Sequence, residues 1–322
     1  MLQPYDLPLE ELRTYRPPLT RAADFDEYWA EAKRAAGAVP LDVRLAPAEY
    51  PAGGVRVFEL SYSGTDGSRI RGYLAHPDDG RRHPGLVVYH GYNYCADGNL
   101  HDLVNWALHG YATFGMQTRG QYGSGDALAD AGGHVAGWMT KGILDERSYY
   151  YRAVYMDAVR ALDVLAGLDA VDPGRIGVTG GSQGGGLSLA AAALSDIPRA
   201  CAADYPYLCH FRRAIDLAPA GPYGELNEFF RRHSDPAVEE TALRTLSYCD
   251  VMNLAGWIRC PVLVSSGLID QITPPSTVFA AFHHVGSADK EICVYRYFGH
   301  EFIPAFQTER LRFLRKHLQA EE

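Results

Sequence analysis

Ser182 stands in Gly180-Gly181-Ser182-Gln183-Gly184, a G-x-S-x-G pattern inside the run "TGGSQGGG" (179–186). An apolar stretch, "RIGVT" (175–179), precedes it, and an Ala-rich stretch, "QGGGLSLAAAALS" (183–195), follows. Strand, tight turn and helix are the context in which a serine becomes an exposed nucleophile. Gly180 and Gly184 leave room for the strand and helix backbones to approach one another. The helix N-terminus places free N–H groups and a positive dipole end beside developing negative charge. Two other uses of a glycine-rich loop fail on residue identity. A phosphate-binding loop needs Lys and Ser/Thr where Gly186 and Leu187 stand. A dinucleotide G-x-G-x-x-G finds Ser182 in its second glycine position, with Asp204 a weak acidic partner.

Serine requires a base, and on this kind of scaffold the partners follow in the order Ser, acid, His. Of the histidines after Ser182, His300 alone follows a strand directly, in "YRYFGHEF", with Gly299 beside it for a tight turn. His283, His284 and His317 fall in helices, and His210 and His233 in an aromatic-rich insertion. The acid is Asp270, just past the strand "PVLVSSG" and before a Pro-started helix whose N-cap would be Thr273. Asp250 precedes that strand, and Asp289 lies at the far end of the next. The oxyanion donors expected are the backbone N–H groups of Gln183 and Tyr92, the latter in "VVYHGYNY", where His90 and Gly91 shape the turn. "GHEF" is not a zinc motif, because H-E-x-x-H would need histidine where Pro304 stands. No metal or cofactor is expected.

These residues need strand ends to hold them, and the patterning supplies strands. Residues 24–36 read as a helix with capping-box spacing at Asp24 and Glu27, and with Phe25, Tyr28, Trp29 and Ala32 on one face. Residues 55–63 and 70–76 read as a hairpin around "GTDGS". Apolar runs at 85–89, 111–117, 175–179, 199–203, 261–267 and 291–297 then alternate with helical stretches at 100–109, 145–166, 183–195, 274–285 and 303–319. Such alternation predicts a mostly parallel central sheet with helices on both faces, and the G-x-S-x-G turn within it an α/β-hydrolase fold. Residues 206–257 carry no core strand and read as a helical cap inserted over the carboxyl ends of the strands, where such sheets place their sites. The expected organisation is one domain over 1–322, with an N-terminal extension over about 1–50.

The chain has 322 residues, 47% hydrophobic and 21% charged, with a formal net charge of −9. That size supports a core without disulfides. The negative charge argues against nucleic acid and anionic membrane as partners. The six cysteines (95, 201, 209, 249, 260, 293) form no C-x-x-C pair and read as free thiols. The N-terminal residues show no signal-peptide pattern and no run is long enough to span a membrane, so a cytoplasmic location is expected.

The motifs together resemble carbohydrate esterase family 7, the acetyl xylan esterases and cephalosporin C deacetylases, over nearly the whole chain. The resemblance is carried by "DLPLEELRTYRPPLTRAADFDEYW", "HGYN" (90–93), "RGQ" (Arg119, Gly120, Gln121), "TKGILD", "GGSQGG", "TLSYCDVMNLA", "GLIDQITPPSTVFAAF" and "GHE" (299–301, ending in Glu301). It implies Ser182, Asp270 and His300 as a triad and Tyr92 and Gln183 as oxyanion donors. It further implies deacetylation of small acetylated sugars and related esters, a homohexamer and an intracellular location. The chain departs from the family where Gln117-Thr118 replace Asp-Val before RGQ and where Tyr122 displaces Gly123. Arg119 and Gln121 are expected to support the active-site loop or an interface.

Overall fold

A computed structural model describes residues 5–94, 100–128, 137–218 and 220–319. In chain order its elements are α1 (Leu9–Leu12), α2 (Phe25–Gly37), β1 (Arg44–Ala48), β2 (Val55–Ser63), β3 (Arg69–Pro77) and β4 (His83–Tyr89). Next come α3 (Leu100–Leu108), β5 (Ala112–Met116), α4 (Tyr150–Ala166), β6 (Val171–Gly181), α5 (Gln183–Leu194) and β7 (Pro198–Asp204). Helices α6 (Phe211–Leu217), α7 (Pro222–Arg232), α8 (Pro236–Cys249) and α9 (Val251–Leu254) then precede β8 (Val262–Gly267), α10 (Pro275–His284), β9 (Lys290–Tyr295) and α11 (Pro304–Leu318).

The described strands form one sheet in the order β1-β2-β3-β5-β4-β6-β7-β8-β9. Neighbours from β5 to β9 run parallel, and β1, β2 and β3 extend the sheet antiparallel. The strand order reverses at β4, which lies between β5 and β6, so the crevice for a site opens at the carboxyl ends of β4 and β6. Alternate side chains bury on opposite faces. Leu86 of β4 joins Trp106, Leu314 and Leu318 on one face, while Val87 joins the larger cluster under α2, α4 and α5 on the other. Helix α5 is apolar almost all round and buried along its length, as a helix at the centre of a core must be.

Several local expectations needed correction. The long helix begins at Tyr150 rather than 145, because the Asp145 carboxylate accepts from the Arg147 N–H and the Ser148 hydroxyl and holds a turn there. Asp24 does not cap α2; its carboxylate accepts from the Tyr248 hydroxyl and Arg244, while Glu27 pairs with Arg34. The segment set apart as 1–50 contributes β1 to the sheet, an edge strand whose exposed residues carry little alternation. Residues 6–17 of that segment are strapped to α10. Asp6 accepts from the Ser276 N–H and pairs with Arg213, and His283 and His284 donate to the carbonyls of Leu12 and Pro17. Between 206 and 257 the described residues form helices joined by turns, with no strand among them. Five cysteines are free thiols; Cys95 lies outside the described residues.

Candidate active site

Ser182 occupies the turn between β6 and α5 with φ 56° and ψ −118°. A residue with a side chain in this region carries strain of about 1–3 kcal/mol. Backbone bonds hold it there: the Ser182 N–H donates to the Asp204 carbonyl, and the Gly186 and Tyr207 N–H groups donate to the Ser182 carbonyl. The glycines on either side are sterically required. A Cβ on Gly180 would lie 2.4 Å from the Tyr89 carbonyl oxygen, and one on Gly184 only 2.0 Å from it.

The structure brings the three sequence-chosen side chains together. His300 Nε2 lies 2.9 Å from Ser182 Oγ, and His300 Nδ1 lies 2.9 Å from Asp270 Oδ2. Asp270 is fully buried and can only accept. Nδ1 therefore carries the proton, and Nε2 is left as the acceptor for the serine hydroxyl. Asp270 Oδ1 accepts from the Ile272 and Thr273 N–H groups, both at 2.8 Å, and Oδ2 also accepts the Thr273 hydroxyl at 2.7 Å. Thr273 is thus not the N-cap of α10, a position Pro274 holds; its hydroxyl fixes the acid instead. Glu301 accepts from the Gly299 N–H at 3.0 Å and closes the histidine loop. Gly299 has no positive φ, and a Cβ there would meet nothing closer than 3.6 Å, so its loop does not depend on glycine. Tyr205 packs its ring edge against His300, with centroids 4.9 Å apart.

Above Ser182, the chain leaving β4 supplies His90, Gly91 and Tyr92. Among the described residues, neither the Tyr92 nor the Gln183 backbone N–H donates to a protein acceptor. His90 is buried, and burial holds its pKa down at about 4. Its Nε2 accepts from the Thr118 N–H, so its Nδ1 donates to the Gly91 carbonyl. A neutral imidazole thereby ties the β4 loop to the segment after β5. Gly91 has no positive φ, and its nearest neighbour to a Cβ would be 3.7 Å away, so His90 rather than Gly91 shapes this turn.

Two sequence motifs meet behind the elbow. Gln121 Nε2 donates to Gln183 Oε1 at 3.2 Å and to the Tyr150 hydroxyl at 3.0 Å, while its Oε1 accepts from the Asn93 N–H. Tyr151 also donates to Gln183 Oε1. The Gln183 side chain is therefore an anchor of the turn behind Ser182. Arg119 is fully buried; its guanidinium bonds the Asp157 and Asp66 carboxylates. Burial opposes its charge, and the two carboxylates outweigh that and hold it protonated. Gly120 has φ +66° and packs under Trp138. Of the two roles expected for RGQ, support of the active-site loop is the one these contacts serve.

Sequence reasoning missed the groups that complete the wall. Tyr92 donates its hydroxyl to Glu225 of α7 and accepts from the Trp138 N–H, both at 2.6 Å, and Glu225 also accepts from the Met139 N–H. Burial, with Glu225 adding to it, raises the Tyr92 pKa far above that of a free phenol. The run Tyr149-Tyr150-Tyr151 was a visible signal: its three hydroxyls reach Met139, Arg119 and Gln183 in turn. Asp204, at the end of β7, is buried and held at about pKa 6, and it accepts from Ser265 and Gln307. Asp250 sits apart, accepting from the His210, Phe211 and Met252 N–H groups at the root of the insertion. The triad opens into a cavity of about 750 Å³ lined by both core and insertion residues, including Tyr92, Pro222, Glu225 and Ile272. Among the described residues no helix is long and apolar enough to cross a membrane.

A nine-stranded, mostly parallel sheet with a strained serine between a strand and a buried helix defines an α/β hydrolase. Within that class, the family model "Acetyl xylan esterase (AXE1)" matches residues 2–318, and the chain belongs to that family. An acetyl xylan esterase from Paenibacillus sp. R4 is 40% identical with a TM-score of 0.94, over 97% of this chain and 100% of that one. Acetyl xylan esterase 1 from Thermoanaerobacterium sp. JW/SL YS485 is 33% identical with a TM-score of 0.92, over 98% and 100%. The acetyl esterase Axe7A of Xylanibacter ruminicola is 28% identical over 277 residues, 83% of this chain; the match spans 61% of that longer relative.

Proposed function

We propose that this protein is a serine esterase that removes acetyl groups from acetylated xylo-oligosaccharides and related small acetyl esters. The observation that carries the reading is the continuous relay from Ser182 Oγ through His300 to buried Asp270, both links at 2.9 Å. His300 Nε2 takes the Ser182 proton as Oγ attacks the acetyl carbonyl. Asp270 holds the ring in the required tautomer and stabilises the imidazolium. The Tyr92 and Gln183 N–H groups receive the oxyanion; one such donor is typically worth about 10²–10³ in rate. The tetrahedral intermediate expels the sugar alcohol, which takes its proton from His300. Water then attacks the acetyl-enzyme with His300 as base, and acetate leaves.

The insertion over 206–257 acts in this reading as a cap on a single catalytic domain, contributing Pro222 and Glu225 to the cavity wall. The family relationship extends the reading to cephalosporin C as a substrate and to a homohexamer in the cytoplasm, in which long polymers would be excluded. Ser182→Ala tests the core of it. Hydrolysis of p-nitrophenyl acetate should fall by more than about 10³-fold with the fold unchanged by circular dichroism. Retention of most activity would remove Ser182 as nucleophile. Acetate release from acetylated xylo-oligosaccharides tests the substrate. Its absence, alongside cleavage of longer acyl esters or peptides, would overturn the acetyl reading.

A further inference from the structure

We propose that the lobe of the catalytic cavity beside the His300 loop is the subsite for the departing sugar, with Phe302 and Tyr94 as its stacking faces; this rests on the acetyl-esterase reading above. The direction follows from proton transfer. The leaving oxygen must touch the group that protonates it, so the alcohol half of the ester lies on the His300 side. Phe302 is two residues beyond His300 and borders the same cavity. The same cavity is also bordered by Gly221, Pro222, Ile272 and Glu225, which holds the Tyr92 hydroxyl.

The aromatic placement is otherwise costly. Leaving a phenylalanine in water forgoes about 1.5–3 kcal/mol of burial. Phe302 is 66% exposed and Tyr94 55% exposed. Among the large exposed apolar side chains of the described residues, which also include Leu19, Val43, Leu45, Leu108, Tyr122 and Tyr297, only these two border the catalytic cavity. A pyranose ring presents a C–H face that packs on an aromatic ring and an equatorial rim of hydroxyls that needs donors and acceptors. The lobe offers both. Asp102 of α3 supplies an acceptor at its edge, and Arg310 of α11 borders it with a guanidinium whose Nη1 donates to the Thr179 hydroxyl and whose Nη2 donates to Gln307. Trp106 lies beneath Arg310, 5.1 Å from ring centroid to guanidinium carbon, and holds it in place. A cavity of about 750 Å³ has room for a sugar, since whole small-molecule ligands occupy roughly 300–1,000 Å³.

The test compares two acetyl esters that differ only in the alcohol, methyl acetate and mono-acetylated xylobiose, in wild type, Phe302→Ala, Tyr94→Ala and Phe302→Trp. For each alanine variant kcat/KM on the acetylated xylobiose should fall about tenfold, mostly through KM, with methyl acetate within about twofold. Phe302→Trp should retain the sugar preference. Equal losses on both esters, or no loss on either, would overturn the subsite. So would a change of elution on size exclusion with Phe302→Ala, which would mark that ring as a contact between copies. If wild type cleaves methyl acetate as well as the sugar ester, the subsite fails and the esterase reading stands. If it cleaves neither, the esterase reading falls and the subsite with it.

Discussion

Gly184→Ala bears directly on how the nucleophile is held. A Cβ at this position would sit 2.0 Å from the Tyr89 carbonyl oxygen and 2.7 Å from its carbon, whereas real Cβ contacts stay above 3.0 Å. The obstacle is backbone on both sides and cannot rotate away. Helix α5 and strand β4 must therefore separate by about 1 Å, from 3.0 minus 2.0. Gln183 rides on α5, and Tyr92 leaves β4 three residues beyond Tyr89. The separation thus pulls the two proposed oxyanion donors apart while Ser182 moves away from His300. A misplacement of about 1 Å can cost about 10²-fold in rate, and forcing an extra methyl into a filled site costs about 1–3 kcal/mol. On p-nitrophenyl acetate kcat/KM should fall about 100-fold, and the urea midpoint should fall with it. Gly299→Ala is the control, because its nearest neighbour would be 3.6 Å away and its φ is not positive. It should keep activity within about twofold and stability within about 0.5 kcal/mol. Activity of Gly184→Ala within fivefold of wild type, or equal damage from Gly299→Ala, would refute the steric account of the elbow.

Arg119→Met leaves the fully buried Asp157 without its cation and should lower the unfolding free energy in urea by about 3–5 kcal/mol; Arg119→Met with Asp157→Leu should recover much of that loss. The buried His90 has a folded pKa of about 4, below its unfolded value of about 6.5, so its neutral form stabilises the fold fully above pH 6.5. The stability advantage of wild type over His90→Asn should accordingly shrink by up to about 3 kcal/mol as pH falls from 6.5 to 4, read by denaturant titration at each pH. Tyr92→Phe deletes the hydroxyl that joins Glu225 to the Trp138 N–H but keeps the backbone donor. It should cost about 1–3 kcal/mol in thermal or urea unfolding while kcat on p-nitrophenyl acetate drops only a few-fold.

Much of the site was legible in the linear chain because its chemistry is local. A serine between an apolar strand and a helix, an acid after the strand Val262–Gly267 and a histidine after the last strand are each marked by immediate neighbours, and the alternation of strands and helices follows from periodicity. The same locality explains the errors. Thr273 reads as a helix cap from its place before Pro274, yet its hydroxyl is claimed by Asp270, and Asp24 reads as a cap until Tyr248, far along the chain, takes it. The exposed edge strand Arg44–Ala48 has too little burial contrast to show a period.

By itself the sequence determined the order of elements, the chain order Ser182, Asp270, His300 of the proposed nucleophile and its partners, and the family. The tertiary structure alone decided the supports. Gln121 and Gln183 are 62 residues apart, Arg119 and Asp157 38 apart, and Tyr92 and Glu225 133 apart. No local pattern records such pairs, because a buried hydrogen bond or ion pair is specified by where the folded backbones come together. A polar side chain left without its partner in that dry interior would cost more than the strain it relieves.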